Sequence, residues 1–130
     1  MHSAPVLLVS LLAPAAVLAT PLTSLKARGI SVGYGQQIQP QDDTNHWVVW
    51  VEGESACPAA QILGPLTGTP CGQRFTLEGA EYQLGGCASN NEPSELLDAG
   101  NSILSSCTTE DDKITCHGDQ HDIVKHGKCS

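Results

Sequence analysis

Imidazole and carboxylate groups crowd into eleven residues near the end of the chain, and both groups can ligate zinc or copper. The cluster comprises Cys116, His117, Asp119, His121, Asp122 and His126. The flanking pattern predicts a β-hairpin here, in which His121 faces inward while His117 and His126 face outward. Three imidazoles placed in this way do not converge on one ion. We therefore expect surface histidines, with no metal site and no cofactor.

Side chains that could form a catalytic set are also dispersed along the chain. A nucleophile needs an oriented base, and no serine or cysteine lies in a recognised nucleophile turn. Glu78 and Glu81 flank a tight turn at an exposed hairpin tip, which does not suit the paired carboxylates of glycoside hydrolysis. The acidic run from Glu110 to Asp112 lacks the alternating ligands and the glycine of a calcium-binding loop. We expect no catalytic residues and no enzymatic activity.

Two tryptophans are the candidate ligand contacts. An exposed indole plane can stack on a sugar ring, as it does in carbohydrate-binding modules. Trp47 and Trp50 are three residues apart, so on a strand they lie on opposite faces and at least one belongs to the core. Glycan contact and core packing are the two alternatives for this pair.

Cysteine content is the strongest signal in these 130 residues. All six cysteines follow an apolar leader: Cys57, Cys71, Cys87, Cys107, Cys116 and Cys129. An even number of cysteines behind an export signal indicates an oxidising destination, where disulfides stabilise a short chain with a modest core. The six cysteines are therefore assigned to three disulfides.

The leader has the features of a signal peptide. Residues 5–18 read PVLLVSLLAPAAVL, a stretch that is too short for a membrane span and is interrupted by Pro14. We predict a signal peptide over residues 1–19, cut after Ala19, and secretion to the extracellular space. Residues 20–28, TPLTSLKAR, are either a pro-segment removed after its basic residues or a retained part of the mature chain.

Composition divides the remainder into an arm and a domain. Residues 29–44 are rich in glycine and glutamine, with few apolar anchors, and we predict a flexible arm. Residues 45–130 form the disulfide-stapled β-rich domain. All fourteen acidic residues lie after Gly29, with only four of the six lysines and arginines. The resulting negative electrostatic field repels phosphate backbones and anionic lipids. It therefore excludes nucleic acid and membrane surfaces as partners and favours a basic protein partner.

Three segments read as strands. Residues 46–52, HWVVWVE, are apolar on both faces, which predicts a strand covered on both sides. Residues 75–84, FTLEGAEYQL, predict a hairpin with a Gly79-Ala80 loop that pairs Phe75 with Leu84. This register sets Cys71 almost opposite Cys87, so we predict a disulfide between them.

A second hairpin is predicted over residues 113–125, with a Gly118-Asp119 loop and Ile114 opposite Ile123. Continuing this register brings Cys129 towards Cys107, although residues 108–112 could equally form a loop that breaks it. Pairing those two cysteines leaves Cys57 with Cys116, one of the fifteen maps that six cysteines allow.

One short segment carries helix signals. Residues 95–99 follow candidate N-caps at Asn91 and Ser94 and precede Gly100, which together predict a turn or two of helix. The predicted fold class is therefore small and disulfide-rich, mainly antiparallel β, with two hairpins, a central strand and minor helix.

The leader, the basic residues Lys26 and Arg28, the Gly/Gln-rich arm and the acidic six-cysteine domain together resemble the small secreted cysteine-rich proteins of filamentous fungi. Many of those proteins are candidate effectors. The resemblance implies a non-enzymatic protein that acts outside the cell by binding a host or environmental protein through a rigid scaffold. The alternative function is a carbohydrate-binding or growth-inhibiting module acting on cell walls.

Overall fold

A computed structural model describes residues 30–130 of the protein. The predicted signal peptide (1–19) and the candidate pro-segment (20–28) lie outside the described residues. The elements are β1 Val32–Gln39, β2 Thr44–Val51, α1 Ala56–Ala59, β3 Gln61–Pro65, β4 Arg74–Leu77, β5 Ala80–Gly85, β6 Glu95–Asp98, β7 Ile103–Ile114 and β8 Ile123–Cys129.

The eight strands form one nearly closed antiparallel sheet in the order β3-β2-β1-β8-β7-β6-β5-β4. Strands that follow one another in the sequence are neighbours in the sheet, and β8 returns to pair with β1. The exception is β3 and β4, which are consecutive but lie at the two ends of the order. These two strands flank an open seam, at which the sheet fails to close.

Most apolar side chains point to the inner face of the curved sheet. The inner cluster includes Val32, Tyr34, Trp47, Val49, Phe75, Leu77, Tyr82, Leu84 and Leu96, all buried. A smaller cluster on the outer face contains Val48, Trp50 and Ile123, and the segment that carries α1 covers it. The predicted fold class is therefore correct, and the strand predicted from residues 46–52 is buried on both faces.

The flexible arm predicted for residues 29–44 is wrong over most of its length. Residues 32–39 form β1, which pairs with β2 on one side and β8 on the other. Val32 and Tyr34 are fully buried, and the polar side chains of Gln37 and Gln39 are buried and hydrogen-bonded to each other. The glycines of β1 make room for side chains of the neighbouring strands. Composition therefore underestimates how much surface this segment buries in the sheet. The domain consequently begins before Asn45.

The first hairpin exists, but its predicted register is wrong by two residues. Phe75 pairs with Tyr82, and the loop is Glu78-Gly79. Both loop residues have positive φ, 51° and 81°, which is the type I′ geometry that matches strand twist. A shift of two preserves the faces, so the predicted inward residues are still buried.

The second hairpin pairs Ile114 with Ile123 as predicted. Its ladder ends at that pair, so residues 115–122 form a connection and the predicted pairing of Cys116 with His121 is absent. Residues 108–112 remain in β7, where a bulge between Thr109 and Asp112 absorbs one residue. The bulge lets Cys107 lie directly opposite Cys129.

All three predicted disulfides are confirmed. Cys71 is bonded to Cys87, Cys107 to Cys129 and Cys57 to Cys116. The last of these joins α1 to the β7–β8 connection, across the outer face of the sheet.

The helix predicted for residues 95–99 is wrong, because this segment is β6. Leu96 is fully buried on the inner face, and β6 pairs with β5 and β7 on its two edges. Ladders on both sides outweigh the local capping signals, which is the usual outcome for a segment of four or five residues. The minor helix is α1 instead.

Candidate functional site

Both tryptophans lie in the core. Trp47 and Trp50 each expose 2% of their surface, on the inner and outer faces respectively. The Trp47 indole donates a hydrogen bond to the carbonyl of Gly68 (3.0 Å), and Trp50 donates to Oε2 of Glu52 (2.9 Å). Neither indole presents a plane to solvent on which a sugar could stack.

The three clustered histidines do not converge. His117 and His121 are exposed in the β7–β8 connection, whereas His126 is partly buried in β8. The predicted inward position of His121 and outward position of His126 are both wrong. A bulge in the pairing of β8 with β1 leaves His126 unpaired and turns its ring against Trp47, with ring centroids 5.0 Å apart. Residues 30–130 contain no group of three or more His, Cys, Asp or Glu side chains able to hold a metal ion.

His126 instead belongs to a polar group at one end of the inner face. Its Nδ1 is hydrogen-bonded to Oε2 of Glu92 (2.8 Å), and its Nε2 is hydrogen-bonded to Oε1 of Gln36 (2.7 Å). The three side chains tie β1, β8 and the β5–β6 connection together. No sequence signal joins residues 36, 92 and 126, because they meet only through the fold.

Tyr34 lies on the same strand as Gln36, deeper in the core. Its hydroxyl is buried without a hydrogen-bond partner among the described residues. Burial, with a smaller contribution from the charge of Glu92, raises the pKa of Tyr34 to about 12. The phenol therefore stays protonated at neutral pH, so it cannot act as a nucleophile there. This group of side chains is suited to holding strands together and offers no activated nucleophile.

A second charged group lies on the outer face, beside Trp50. Lys125 is 6% exposed, and its Nζ donates to Oε1 of Glu52 (2.6 Å) and to Glu110. Burial lowers the pKa of Lys125, but the hydrogen bonds and charges of the two carboxylates outweigh it and raise the pKa overall. Trp50, Glu52, Glu110 and Lys125 therefore form one network that joins β2, β7 and β8.

Basic side chains are all neutralised in the described part of the chain. Arg74 pairs with Glu81, Lys113 with Asp122, Lys125 with Glu52 and Glu110, and Lys128 with Glu110. Six exposed carboxylates, in contrast, form no ion pair with any residue from 30 to 130: Asp43, Glu54, Glu78, Asp111, Asp112 and Asp119. The surface therefore combines paired cations with unpaired anions, and its field is negative.

Two of these carboxylates meet at one end of the open seam. Glu54 precedes α1 and β3, and Glu78 lies in the β4–β5 loop. Interaction with the side chain of Glu78, together with a smaller desolvation effect, raises the pKa of Glu54. Both carboxylates are exposed and add to the negative field at this end of the sheet.

No protein-family model, curated protein or solved structure matches this chain. Function is therefore inferred from the structure of this chain alone. Among residues 30–130, no helix has the length and apolar character needed to cross a bilayer. The three disulfides in a small β domain are compatible with an extracellular protein.

Proposed function

We propose that this chain is a secreted, non-enzymatic, effector-like protein that binds a basic extracellular or host protein. The observation that carries the proposal is the charge arrangement, in which every lysine and arginine from residue 30 onward is paired while six exposed carboxylates are not. Unpaired surface charges of one sign steer a partner of the opposite sign and raise its association rate.

Three further observations support this proposal. The disulfides and the nearly closed sheet provide a rigid scaffold, on which loops commonly carry recognition. Both ring nitrogens of His126 are engaged by Glu92 and Gln36, so this histidine is not free to act as a general base. The tryptophans on which the carbohydrate-binding alternative depended are buried, so no observation favours that second function.

Binding should be tested on arrays of extracellular and host proteins at about 50 and 300 mM salt, with a glycan array in parallel. We expect basic protein partners whose binding weakens as salt rises. Replacing Asp111, Asp112 and Asp119 by Asn should slow association and flatten the salt dependence. The matched control replaces the same three residues by Glu, which preserves charge and should preserve binding. Binding to glycans with no protein partner would overturn the proposal.

A further inference from the structure

The open seam leaves one edge of β4 without a partner strand. In the β4–β5 hairpin, Leu77 and Ala80 close the two-residue loop and exchange backbone hydrogen bonds. Because hydrogen-bonded and non-hydrogen-bonded pairs alternate along an antiparallel ladder, the backbone groups of Thr76 and Arg74 point away from β5. They face the seam, where no strand pairs with β4.

A side chain takes the place of part of the missing strand. The amide nitrogen of Gln61, on β3, donates a hydrogen bond across the seam to the carbonyl oxygen of Thr76. This is the bond that an N–H group of a neighbouring strand would otherwise make. A flexible side chain can move aside, whereas a backbone ladder would have to be broken. The Thr76 N–H and the Arg74 backbone groups have no such substitute among the described residues.

The surroundings of the seam indicate what kind of segment fits. Ile62 on β3 is 48% exposed and lies opposite Val48, so the strand beside the gap carries an apolar side chain on the outer face of the sheet. Glu78 is exposed in the β4–β5 loop at one end of the seam, and its side chain is near enough to Glu54 to raise the pKa of that carboxyl. An extended segment along β4 would therefore be favoured by a basic residue at that end.

We propose that the β3–β4 seam is the docking site for an extended, basic segment of the partner protein. The segment adds to the β4 edge through the backbone groups of Arg74 and Thr76 and displaces the Gln61 amide. Residues of β3 and β4 approach within 8 Å, and a strand between them needs about 9.6 Å, so the adjoining end of β3 moves away from β4. A lysine or arginine of the segment is set against Glu54 and Glu78. Backbone pairing supplies the affinity in this mode of recognition, and side chains supply the specificity. This inference rests on the proposed function and specifies where the basic partner binds.

The test uses the secreted protein produced from the full-length sequence and a defined probe peptide. The peptide is acetylated, has seven residues of alternating valine and threonine, and carries a lysine at each end. One comparison peptide carries glutamates at its ends, and another has its alternate amides N-methylated so that it cannot form a ladder. Affinities are measured by fluorescence anisotropy at low salt.

Thr76→Pro removes the N–H that faces the seam but leaves the ladder to β5 intact, because proline is tolerated at such edge positions. We expect it to weaken binding of the lysine peptide about tenfold or more, while Thr76→Val, which keeps the N–H, changes binding less than about twofold. The double change Glu54→Gln and Glu78→Gln should weaken binding of the lysine peptide and reduce its salt dependence. Wild-type protein should discriminate against both comparison peptides.

Several results would overturn the inference. One is equal binding of the lysine peptide and its N-methylated form to wild-type protein, a comparison that does not depend on any variant folding. Absence of binding at about 1 mM peptide is another. A dimer that Thr76→Pro dissolves would assign the seam to a second copy of the chain instead.

Failure of this inference is distinguishable from failure of the proposed function. A basic protein partner that binds Thr76→Pro as well as wild type in a salt-sensitive manner would exclude the seam and leave the proposed function standing. Peptide binding at the seam with no protein partner on the arrays would contradict the proposed function.

Discussion

The indole of Trp50 lies over the backbone of Gly33, its antiparallel partner on β1. A Cβ atom at Gly33 would come closer than 3.0 Å to Cε2 of Trp50. A comparable arrangement occurs on the inner face, where the ring of Tyr34 covers Gly127 of β8. Each glycine leaves room for an aromatic side chain of the neighbouring strand, which covers a position that otherwise weakens a sheet.

Gly33→Ala should therefore destabilise the protein. Alanine in place of a strand glycine normally gains about 0.5–1 kcal/mol through lower backbone entropy in the unfolded chain. Here the added methyl group meets a buried ring that cannot withdraw, and overpacking of this kind costs about 1–3 kcal/mol. We expect the cost of the clash to exceed the entropic gain, so the free energy of unfolding decreases and the tryptophan emission shifts. Urea unfolding followed by fluorescence measures both.

The control for this change is Gly68→Ala, where the nearest atom to a new Cβ is the Pro65 carbonyl oxygen at 3.6 Å. It should leave the unfolding midpoint almost unchanged. Equal midpoints for the two variants would show that Trp50 does not constrain Gly33.

Lys125→Met should also be destabilising, by about 2 kcal/mol, because it leaves Glu52 and Glu110 close together without their shared cation. The control is Lys113→Met, since Lys113 is 68% exposed and lies 3.5 Å from Asp122, an arrangement that contributes about 0.5 kcal/mol or less. Urea unfolding at neutral pH measures both. Equal losses would contradict a special role for the network at Lys125.

The network around Lys125 also predicts how the stability of the fold depends on pH. The hydrogen bond from Lys125 lowers the pKa of Glu110 below its usual 4.5, so this carboxylate stabilises the fold above that value and loses its effect as pH falls through the lowered pKa. The pKa of Lys125 is raised, so its contribution is complete below 10.5 and is lost as pH rises through the higher value. The difference in stability between wild type and Lys125→Met should therefore shrink at both extremes and remain constant between them.

Tyr34→Phe should stabilise the protein by about 1 kcal/mol, because it removes a buried hydroxyl that has no partner among the described residues. A raised pKa of about 12 means that the folded state favours the neutral phenol. Wild-type stability should fall as pH rises from 10 towards 12, since Tyr34 ionises first in the unfolded chain. Phenylalanine removes the part of this loss that comes from Tyr34, whereas the part from Tyr82, whose pKa is also raised by burial, remains. Unfolding midpoints of wild type and variant at pH 7 and pH 11 measure both effects. A variant less stable than wild type at pH 7 would indicate that the hydroxyl is hydrogen-bonded.

The three disulfides should differ in their contributions to stability. In the chain-entropy model, a bridge stabilises by restricting the unfolded chain, and the effect grows with the length of the closed loop. Replacing Cys57 and Cys116 by Ser removes a bridge between residues that are 59 positions apart in the sequence. This change should lower the free energy of unfolding by about 4 kcal/mol. The same change at Cys71 and Cys87 opens 16 residues and should cost about 3 kcal/mol. Guanidinium unfolding of the paired variants measures the order, and a reversed order would point to native-state contacts as the dominant cause.

Much of the fold could be predicted from the sequence because local patterns carried the information. Alternation of apolar residues over 75–84 identified the inward side chains even though the loop was misplaced, because a two-residue shift leaves each residue on its face. Pairing Ile114 with Ile123 brings Cys129 towards Cys107, the bulge in β7 then sets the two cysteines opposite each other, and elimination completes the disulfide map.

Other predictions from the sequence are wrong for physical reasons. The sequence predicts an arm over residues 29–44 because glycine and glutamine count as poor anchors, yet Gly33 leaves room for the Trp50 indole and Gly35 for the backbone of Val124. Residues 95–98 carry helix signals that two flanking ladders override. The candidate site was the least predictable part, because Gln36, Glu92 and His126 meet through a bulge that no local pattern announces.

By itself, the sequence determined that this is an acidic, disulfide-stapled β protein, because composition, alternation and cysteine spacing are properties of the chain that survive any arrangement of strands. The tertiary structure alone decided that β8 returns to β1, that His126 turns inward, and that β3 and β4 leave a seam beside Glu54 and Glu78. These features depend on contacts between residues far apart in the sequence, whose energies exist only once the sheet has curved and nearly closed.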